Sequence, residues 1–320
     1  MEKEKKVKDV DFADSTVPAS ARKNVVTMFM IMLGFTFFSA SMWVGQQLAD
    51  GLDFWGFLGS LILGGIILGI YTGLLGYVGA KTGLSLDLLS QRAFGEKGSY
   101  LPSAMTSFTQ IGWFSVGSFV SGGTATPNFA RFAKNGKSGA ITTVVAFFIG
   151  NSLMFFFGAV SSIFVGGNDI FEVMVRLNLF YLAVLVLGLN IWTTNDNALY
   201  TAGLGLANIF HQRKKPMVLL SGIIGTVASV WLYYNFCGWL NILNCTLPPV
   251  GMILVLAYFM NKEDFEADQP KLKTIDWFAV AGVILGAIVA NLLHWGIASI
   301  NVMVVAAVCY CVGQAVNKRK

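Results

Sequence analysis

The sequence predicts an all-α polytopic membrane protein. Of its 320 residues, 55% are hydrophobic and only 12% are charged, whereas soluble proteins carry about 25% charged residues. Apolar runs long enough to cross a bilayer as helices recur along most of the chain. We therefore expect one transmembrane helical domain over residues 24–317, with a charged, disordered tail at 1–23 and a short basic end at 318–320.

The composition argues against several other classes of protein. The net charge of +5 is modest, and the basic residues cluster between apolar runs, which indicates topology and not nucleic-acid binding. The four cysteines lie in apolar runs without a CxxC pair, and only two histidines occur. Because no intramembrane cluster of His, Cys or carboxylate side chains forms an acid–base or metal set, we do not expect an enzyme.

The first two spans carry small residues at their centres. The first, about Val25 to Gln47, contains Gly34 to Ser41 in its middle. Small and hydroxyl residues there allow a helix to open and expose backbone carbonyls, and close helix packing is the alternative. A glycine-rich second span, about Phe54 to Val78, precedes a basic loop with an amphipathic stretch, Lys81 to Lys97.

The third apolar segment combines a possible ligand face with a helix break. Gln110 and Trp113 lie three residues apart and so share a helix face. An amide beside an aromatic plane can hold a flat ligand that forms hydrogen bonds. A packed tryptophan with a satisfied glutamine is the alternative. The Gly122-Gly123 pair and Pro127 then break the helix.

The most polar stretch, Leu187 to Tyr200, lies inside an apolar span and holds three Asn, two Thr and one Asp. A charged Asp near the bilayer centre costs about 2.5–3.5 kcal/mol, which is tolerated mainly where polar groups line a cavity or bind a ligand. Asn190, Thr193 and Thr194 have the spacing i, i+3, i+4, so one helix face presents their oxygens. Hydrogen bonding between helices is the alternative.

Further apolar spans follow the broken segment. We expect them at about Ala140 to Val165, Phe171 to Trp192 with a continuation to Phe210, Met217 to Tyr234, Leu240 to Met260, Ile275 to Leu293 and Ser299 to Val316. Pro248 and Pro249 predict that the span from Leu240 is kinked and partly unwound.

The basic residues predict the topology. They cluster at 22–23, 81–97, 131–137, 213–215, 262–273 and 318–320. Basic loops face the cytoplasm, so both termini are expected there. Between Lys97 and Arg131 lie 33 residues, fewer than the about 40 that two full crossings need. We therefore favour two joined half-spans over residues 99–137. A single span, which would invert the rest of the chain, is the alternative.

Several long motifs resemble the nucleobase:cation symporter family, and among its members the cytosine permeases. They are LGFTFFSASMW (33–43), GYVGAKTGL (76–84), TQIGWF (109–114), LGLNIWTTNDNALY (187–200) and GIIGT (222–226). The resemblance implies a transporter fold of two inverted five-helix repeats, in which the first and sixth helices are broken at the midplane. Against that pattern, the chain lacks the rest of helix 3, helices 4 and 5 and the start of helix 6, with a junction near Gly117-Ser118.

The resemblance also implies roles for individual residues. Trp113 and Phe119 are expected to sandwich a flat pyrimidine. The polar groups expected to bond it are Gln110, Ser121, Asn195 and Ser39. The residues expected to bind sodium, between the first and eighth helices, are Phe38, Ser41, Asn190, Thr193 and Thr194. Asp196 lies off the face that those last three residues share.

These implications predict a secondary active transporter with no organic cofactor. It would import cytosine, or a related flat nucleobase, together with sodium across the cytoplasmic (inner) membrane. The alternative is a truncated or engineered variant that does not transport, because the missing helices would line part of the binding cavity. A passive channel is disfavoured, since one flat aromatic site indicates occlusion and not a continuous pore.

Overall fold

The computed structural model describes residues 12, 15–37, 39–116, 120–167, 170–267, 270–293 and 295–317. At residues 39–40, 43, 114–116, 120–122, 191, 193–194, 233, 236–237 and 240–241 the description is of the backbone only. Within these ranges the chain is almost entirely helical, and its β-structure is one isolated bridge between Lys23 and Ala133. The predicted all-α architecture is confirmed.

The first predicted span is broken, as its small residues indicate. It forms α1 (Val25–Thr36) and α2 (Ser39–Gly51). Asn24 caps α1 by accepting a hydrogen bond from the Thr27 amide at 2.8 Å. At the other end Phe37 leaves helical geometry, with φ −84° and ψ 79°. The break therefore falls at the centre of the span, inside the stretch of small and hydroxyl residues.

The next segment runs to the predicted junction. It forms α3 (Phe54–Thr82), α4 (Leu86–Phe94) and α5 (Tyr100–Val116). A 3₁₀ helix over 120–125 and the short α6 (Thr126–Ala130) follow. Pro127 occupies the first turn of α6, where its missing amide hydrogen costs nothing. The described residues thus leave α-helical geometry at the Gly122-Gly123 pair, as the sequence predicts.

The remaining chain is helical with short turns. Its helices are α7 (Gly136–Val165), α8 (Ile170–Arg176), α9 (Phe180–Phe210), α10 (Lys214–Tyr234), α11 (Phe236–Met260), α12 (Lys262–Glu266), α13 (Trp277–Leu292) and α14 (Ala298–Asn317). The predicted start of the long polar span at Phe171 is wrong, because Asn178 takes a left-handed conformation with φ 60° and separates α8 from α9.

The prediction that Pro248 and Pro249 partly unwind their span is also wrong, since α11 is continuous through both. A proline frees the carbonyl four residues earlier. The carbonyl that Pro248 frees is that of Asn244, and the Ser299 hydroxyl from α14 lies 3.4 Å from it as a donor. A neighbouring helix thus bonds the freed group, as is common in membrane helices.

Five helical segments of the described residues are long and apolar enough to cross a membrane. They are Phe54–Thr82, Gly136–Val165, Lys214–Leu232, Ile242–Met260 and Ala298–Asn317. Helix α9, at 31 residues, is longer than any of these five segments, but it does not count among them because its centre is polar. Its most extensive contacts are with α5 and α10.

The predicted basic loops lie together at one end of the bundle. The contacts that join them are Lys23 N to Phe132 O (2.7 Å), Arg92 Nη1 to Asp264 O (2.7 Å), Lys97 N to Thr274 O (2.9 Å) and Tyr100 Oη to His211 Nε2 (2.8 Å). Residues 97 and 131 are therefore on the same side. This arrangement is consistent with two joined half-spans over residues 99–137, which stay a prediction.

Part of the N-terminal tail packs against this basic end. Val17 is buried, and its amide donates to the Gly83 carbonyl at 3.0 Å. The Arg22 guanidinium donates to the Ala80 carbonyl at 2.8 Å. The expectation of disorder is therefore wrong for residues 15–23, because polar groups at the ends of α3 and α6 bind this strip of chain.

Arg131, which the sequence suggests is a loop charge, is fully buried where α6 ends. Its guanidinium donates to Asn128 O (3.1 Å), Phe12 O (2.8 Å) and Tyr200 Oη (2.8 Å), and lies 4.9 Å from the ring centre of Phe132. Arg131 thereby connects Phe12 of the N-terminal tail, α6 and α9. Hydrogen bonds to a charged group are among the stronger ones in proteins.

We expect Tyr200→Phe to lower the free energy of unfolding by about 1.5–3 kcal/mol, because it removes the acceptor of a charge-assisted hydrogen bond from the buried Arg131. The measurement is a denaturant titration in mixed micelles. Tyr181→Phe is the matched control, since Tyr181 is 86% exposed. Equal stabilities of the two variants would show that the Arg131–Tyr200 bond contributes nothing to the fold.

Candidate functional site

The break in the first span faces the polar helix. The Asn190 side-chain amide on α9 donates a hydrogen bond to the Phe37 carbonyl at 2.8 Å. Phe37 is the residue at which α1 loses helical geometry. The structure therefore brings together two features that the sequence singles out separately, the opened helix and the first of the polar α9 residues.

The predicted cation ligands are described in part. Ser41 is buried on α2, and α9 contacts both α1 and α2. Asn190 lies at that contact. Phe38 and the side chains of Thr193 and Thr194 lie outside the described residues. The side chains of Asn190 and Ser41 both carry oxygens of the kind that hard cations prefer.

Gln110 and Trp113 are both buried on α5. The Trp113 ring meets the ring of Trp239 edge to face, with ring centres 4.6 Å apart and an angle of 71° between the planes. Ala198 of α9 and Leu243 of α11 belong to the same hydrophobic cluster. An aromatic pair in this geometry contributes about 0.5–1.5 kcal/mol beyond area burial, so Trp113 is held in orientation.

Sequence reasoning missed Trp239. The signal that indicates it is Gly112, next to Trp113, because a Cβ at that position would collide with the Trp239 ring. The missing side chain of Gly112 thus leaves room beside Trp113 for the ring of Trp239. The second expected face of the sandwich, Phe119, lies outside the described residues, as do the side chains of Ser121 and Ser39.

Asn195 lies near the end of α5. Helices α5 and α9 are antiparallel, since the Ser107 hydroxyl donates to the Ala202 carbonyl at 3.0 Å and the Asn208 amide donates to Ser103 Oγ at 2.9 Å. Continuing that register brings Asn195 beside the last turn of α5. Its Oδ1 is buried, and no described group bonds it. A buried acceptor without a partner is costly, so this oxygen would gain from a ligand that donates a hydrogen bond.

Asp196 points elsewhere. Its side chain is exposed, whereas Asn190 and Asn195 are partly buried. The expectation that Asp196 lies off the polar face is consistent with this difference.

A cleft of about 370 Å³ lies apart from these residues, between α3, the 3₁₀ segment, α11 and α14. It is mostly apolar, and at its wall the Tyr71 hydroxyl bonds Thr124 Oγ1 at 2.7 Å. None of Gln110, Trp113, Asn190 and Asn195 lines it. Of the predicted site residues whose side chains the structure describes, these four therefore lie outside the cleft.

The family described as permeases for cytosine/purines, uracil, thiamine and allantoin matches this chain in two segments, residues 16–125 and 115–316. Together they cover nearly the whole sequence. The two matches overlap at 115–125, which contains the junction predicted at Gly117-Ser118. The family model is therefore matched in two pieces that meet at the predicted junction.

Curated relatives agree with this. The cytosine permease of Escherichia coli (strain K12) is 37% identical over 405 aligned positions, which span 98% of this chain and 96% of the relative. The cytosine permeases of E. coli O6:H1 and O157:H7 give the same figures. Because this chain has 320 residues, at least 85 of the 405 positions have no counterpart in it. These relatives are permeases and not enzymes, as the sequence predicts for this chain.

The fold has a counterpart among solved structures. Mhp1, a nucleobase-cation-symport-1 family transporter in a closed conformation with bromovinylhydantoin bound, superposes with a TM-score of 0.77. The match spans 95% of this chain and 94% of Mhp1 at 14% sequence identity. The predicted transporter fold is confirmed by this likeness.

We expect Gly112→Ala to cost about 1–3 kcal/mol of stability, because the added methyl group overpacks the Trp113–Trp239 pair. Near-ultraviolet circular dichroism, which reports coupled tryptophans, should lose intensity in parallel. Gly59→Ala is the matched control, since a Cβ there has nothing within 4 Å. An unchanged tryptophan spectrum in Gly112→Ala would contradict the contact between the two rings.

Proposed function

Because the chain belongs to the family of permeases for cytosine/purines, uracil, thiamine and allantoin, we propose that it imports cytosine together with sodium by alternating access. The membrane would be the cytoplasmic one, with the basic end of the bundle and both termini inside. Residues 24–317 would form the transport domain, between the N-terminal tail 1–23 and the basic end 318–320.

The observation that carries the choice of ligand is the Asn195 Oδ1 atom, buried with no bond from any described group. Cytosine offers N–H donors on its ring and its exocyclic amine, and an amide oxygen accepts from either. The likeness of this chain to permeases named for cytosine supports the same base as its substrate. A ligand donor at Asn195 would remove the cost of an unpaired acceptor only in the bound state.

The aromatic residues suit a flat ring. In the proposed complex Trp113 and Phe119 stack on the two faces of the base, and Trp239 braces Trp113 at its edge. Base–aromatic stacking contributes about 1–3 kcal/mol per base in other proteins. Gln110, Ser121 and Ser39 complete the proposed set of polar partners.

Sodium is proposed as the co-transported ion, bound where α9 meets the helix break. The amide oxygen of Asn190, the hydroxyls of Ser41, Thr193 and Thr194 and the carbonyl of Phe38 form the proposed ligand set. Hard cations prefer such oxygens. The bond between Asn190 and the Phe37 carbonyl supports this location, because it holds the carbonyls at the break beside α9.

A second candidate function rests on the same comparison that supports the first. At least 85 positions of the relatives are missing here, and Gln110, Trp113, Phe119 and Ser121 fall on the two half-spans at the junction. A truncated or engineered chain of this kind would insert into the membrane without closing a substrate cavity.

Sodium-driven uptake of cytosine tests the proposed transport directly. In cells without their own cytosine permease, this chain should take up labelled cytosine about tenfold faster with an inward sodium gradient than without, and Asn190→Ala should lose that dependence. Asn291→Ala is the matched control, since the Asn291 amide bonds the Ala287 carbonyl of its own helix. Absence of uptake, with normal membrane insertion and intact mass, would favour the non-transporting alternative.

Cytosine binding can be tested separately from transport. In equilibrium dialysis with purified protein, Asn195→Ala should weaken cytosine binding about tenfold, because the ligand loses a buried hydrogen bond of roughly 1–1.5 kcal/mol. Asn235→Ala is the control, since the exposed Asn235 amide bonds Trp231 O. Equal affinities of the two variants would remove Asn195 from the proposed site while leaving the sodium prediction to be judged by uptake.

A further inference from the structure

The apolar cleft of about 370 Å³ has the size and lining of a small-molecule site. Pockets for such ligands enclose about 300–1,000 Å³ and combine apolar walls with a few polar groups. Helices α3, α11 and α14 and the 3₁₀ segment over 120–125 form the walls of the cleft. Its aliphatic and thioether side chains can contact an apolar molecule, and they include Ile67, Leu68, Leu243, Leu247, Ile300 and Met303.

The α11 wall of the cleft is fixed by packing on its other side. Leu243 and Leu247 are buried, and both also belong to the hydrophobic cluster that contains Trp113 and Trp239. On the α3 wall, Gly64 has nothing within 4 Å of a built Cβ. The cleft therefore combines a packed wall with open space, as expected of a ligand site that is largely formed before the ligand arrives.

The side-chain amide of Asn244 is a polar group in this apolar lining. Asn244 lies about 12 Å along the α11 axis from the first residue of the helix, Phe236. Its backbone carbonyl faces the Ser299 hydroxyl at 3.4 Å, whereas its side-chain amide bonds no described group. An amide without a hydrogen-bond partner in apolar surroundings is costly, so a ligand with a polar atom at this point would remove that cost.

The second polar point of the cleft is a pair of hydroxyl groups, Tyr71 on α3 and Thr124 on the 3₁₀ segment. Their oxygens lie 2.7 Å apart and share a hydrogen bond. Two hydroxyl groups carry two hydrogens, and the bond between them uses only one. The other hydrogen has no described acceptor, so the Tyr71–Thr124 pair can donate a hydrogen bond to a ligand.

We propose that the cleft is a second binding site, for a compact apolar molecule that carries a carbonyl group. The carbonyl oxygen accepts a hydrogen bond from the Asn244 amide, with the Tyr71–Thr124 pair as a second donor, and apolar rings fill the aliphatic lining. A lipid acyl chain also suits that lining but leaves both donors without a partner. The proposal does not rest on transport of cytosine, because the cleft has its own lining residues.

The test uses benzophenone, an aromatic ketone that bonds covalently to neighbouring C–H groups on irradiation. The purified protein in lipid nanodiscs is irradiated at increasing benzophenone concentrations, and mass spectrometry of its peptides locates and quantifies the adducts. Labelling of Met303, which lines the cleft, should saturate. Labelling of Val308, which is exposed on the same helix outside the cleft, should rise in proportion to concentration.

Two variants separate the filling of the cleft from its hydrogen bonding. Gly64→Phe places a ring in the open space and should lower the Met303 adduct about tenfold. Gly59→Phe is the matched control on α3, since Gly59 has equal space but does not line the cleft. Asn244→Leu removes the amide while keeping the size of the side chain, so half-saturation should need about fivefold more benzophenone.

Three results would overturn the proposal. Met303 labelling that rises without saturation, as at Val308, would mean that lipid fills the cleft. A saturable adduct that survives Gly64→Phe would place the site elsewhere. If Asn244→Leu binds benzophenone as tightly as the parent chain, the cleft takes purely apolar molecules and the assigned carbonyl chemistry is wrong.

Discussion

A backbone group that leaves helix geometry inside a bilayer has no water to bond, so its partner must come from another part of the protein. This constraint connects the broken first span to the polar helix, since the Asn190 amide bonds the Phe37 carbonyl. It also explains why Ser299 faces the Asn244 carbonyl one turn before Pro248. In both cases a neighbouring helix supplies the partner, and at the break in the first span that neighbour is α9.

Local patterns in the sequence were enough to predict the helices, the break in the first span and the common side of the basic loops. They failed where a tertiary contact decided the outcome. Pro248 and Pro249 predict unwinding only if no neighbour bonds the freed carbonyls, and the Ser299 contact is invisible in the sequence. The turn at Asn178 carries neither Gly nor Pro, although its φ of 60° is one that Asn tolerates better than most residues.

The sequence predicts those residues of the candidate site that stand out from their sequence neighbours. It does not predict those whose role depends on a contact with another helix. Asn190, Gln110 and Trp113 stand out because polar or paired aromatic residues are rare in apolar runs. Trp239 does not stand out, because its role depends on its contact with Gly112 on another helix. Arg131 was read as a loop charge for the same reason, since only the folded chain brings Tyr200 to it.

The exposed apolar side chains of α9 and the unpaired Asn195 oxygen differ in the free-energy cost of lacking a protein partner in a bilayer. Lipid tails are as apolar as Val184 and Phe180, so exposing these side chains to lipid costs little. A buried amide oxygen without a donor is costly in any medium. Exposure of these apolar side chains therefore does not oppose insertion, whereas the Asn195 oxygen of the proposed site has no described donor. Membrane insertion and transport are consequently separable properties of this sequence, and normal insertion alone is no evidence that the transport cavity closes.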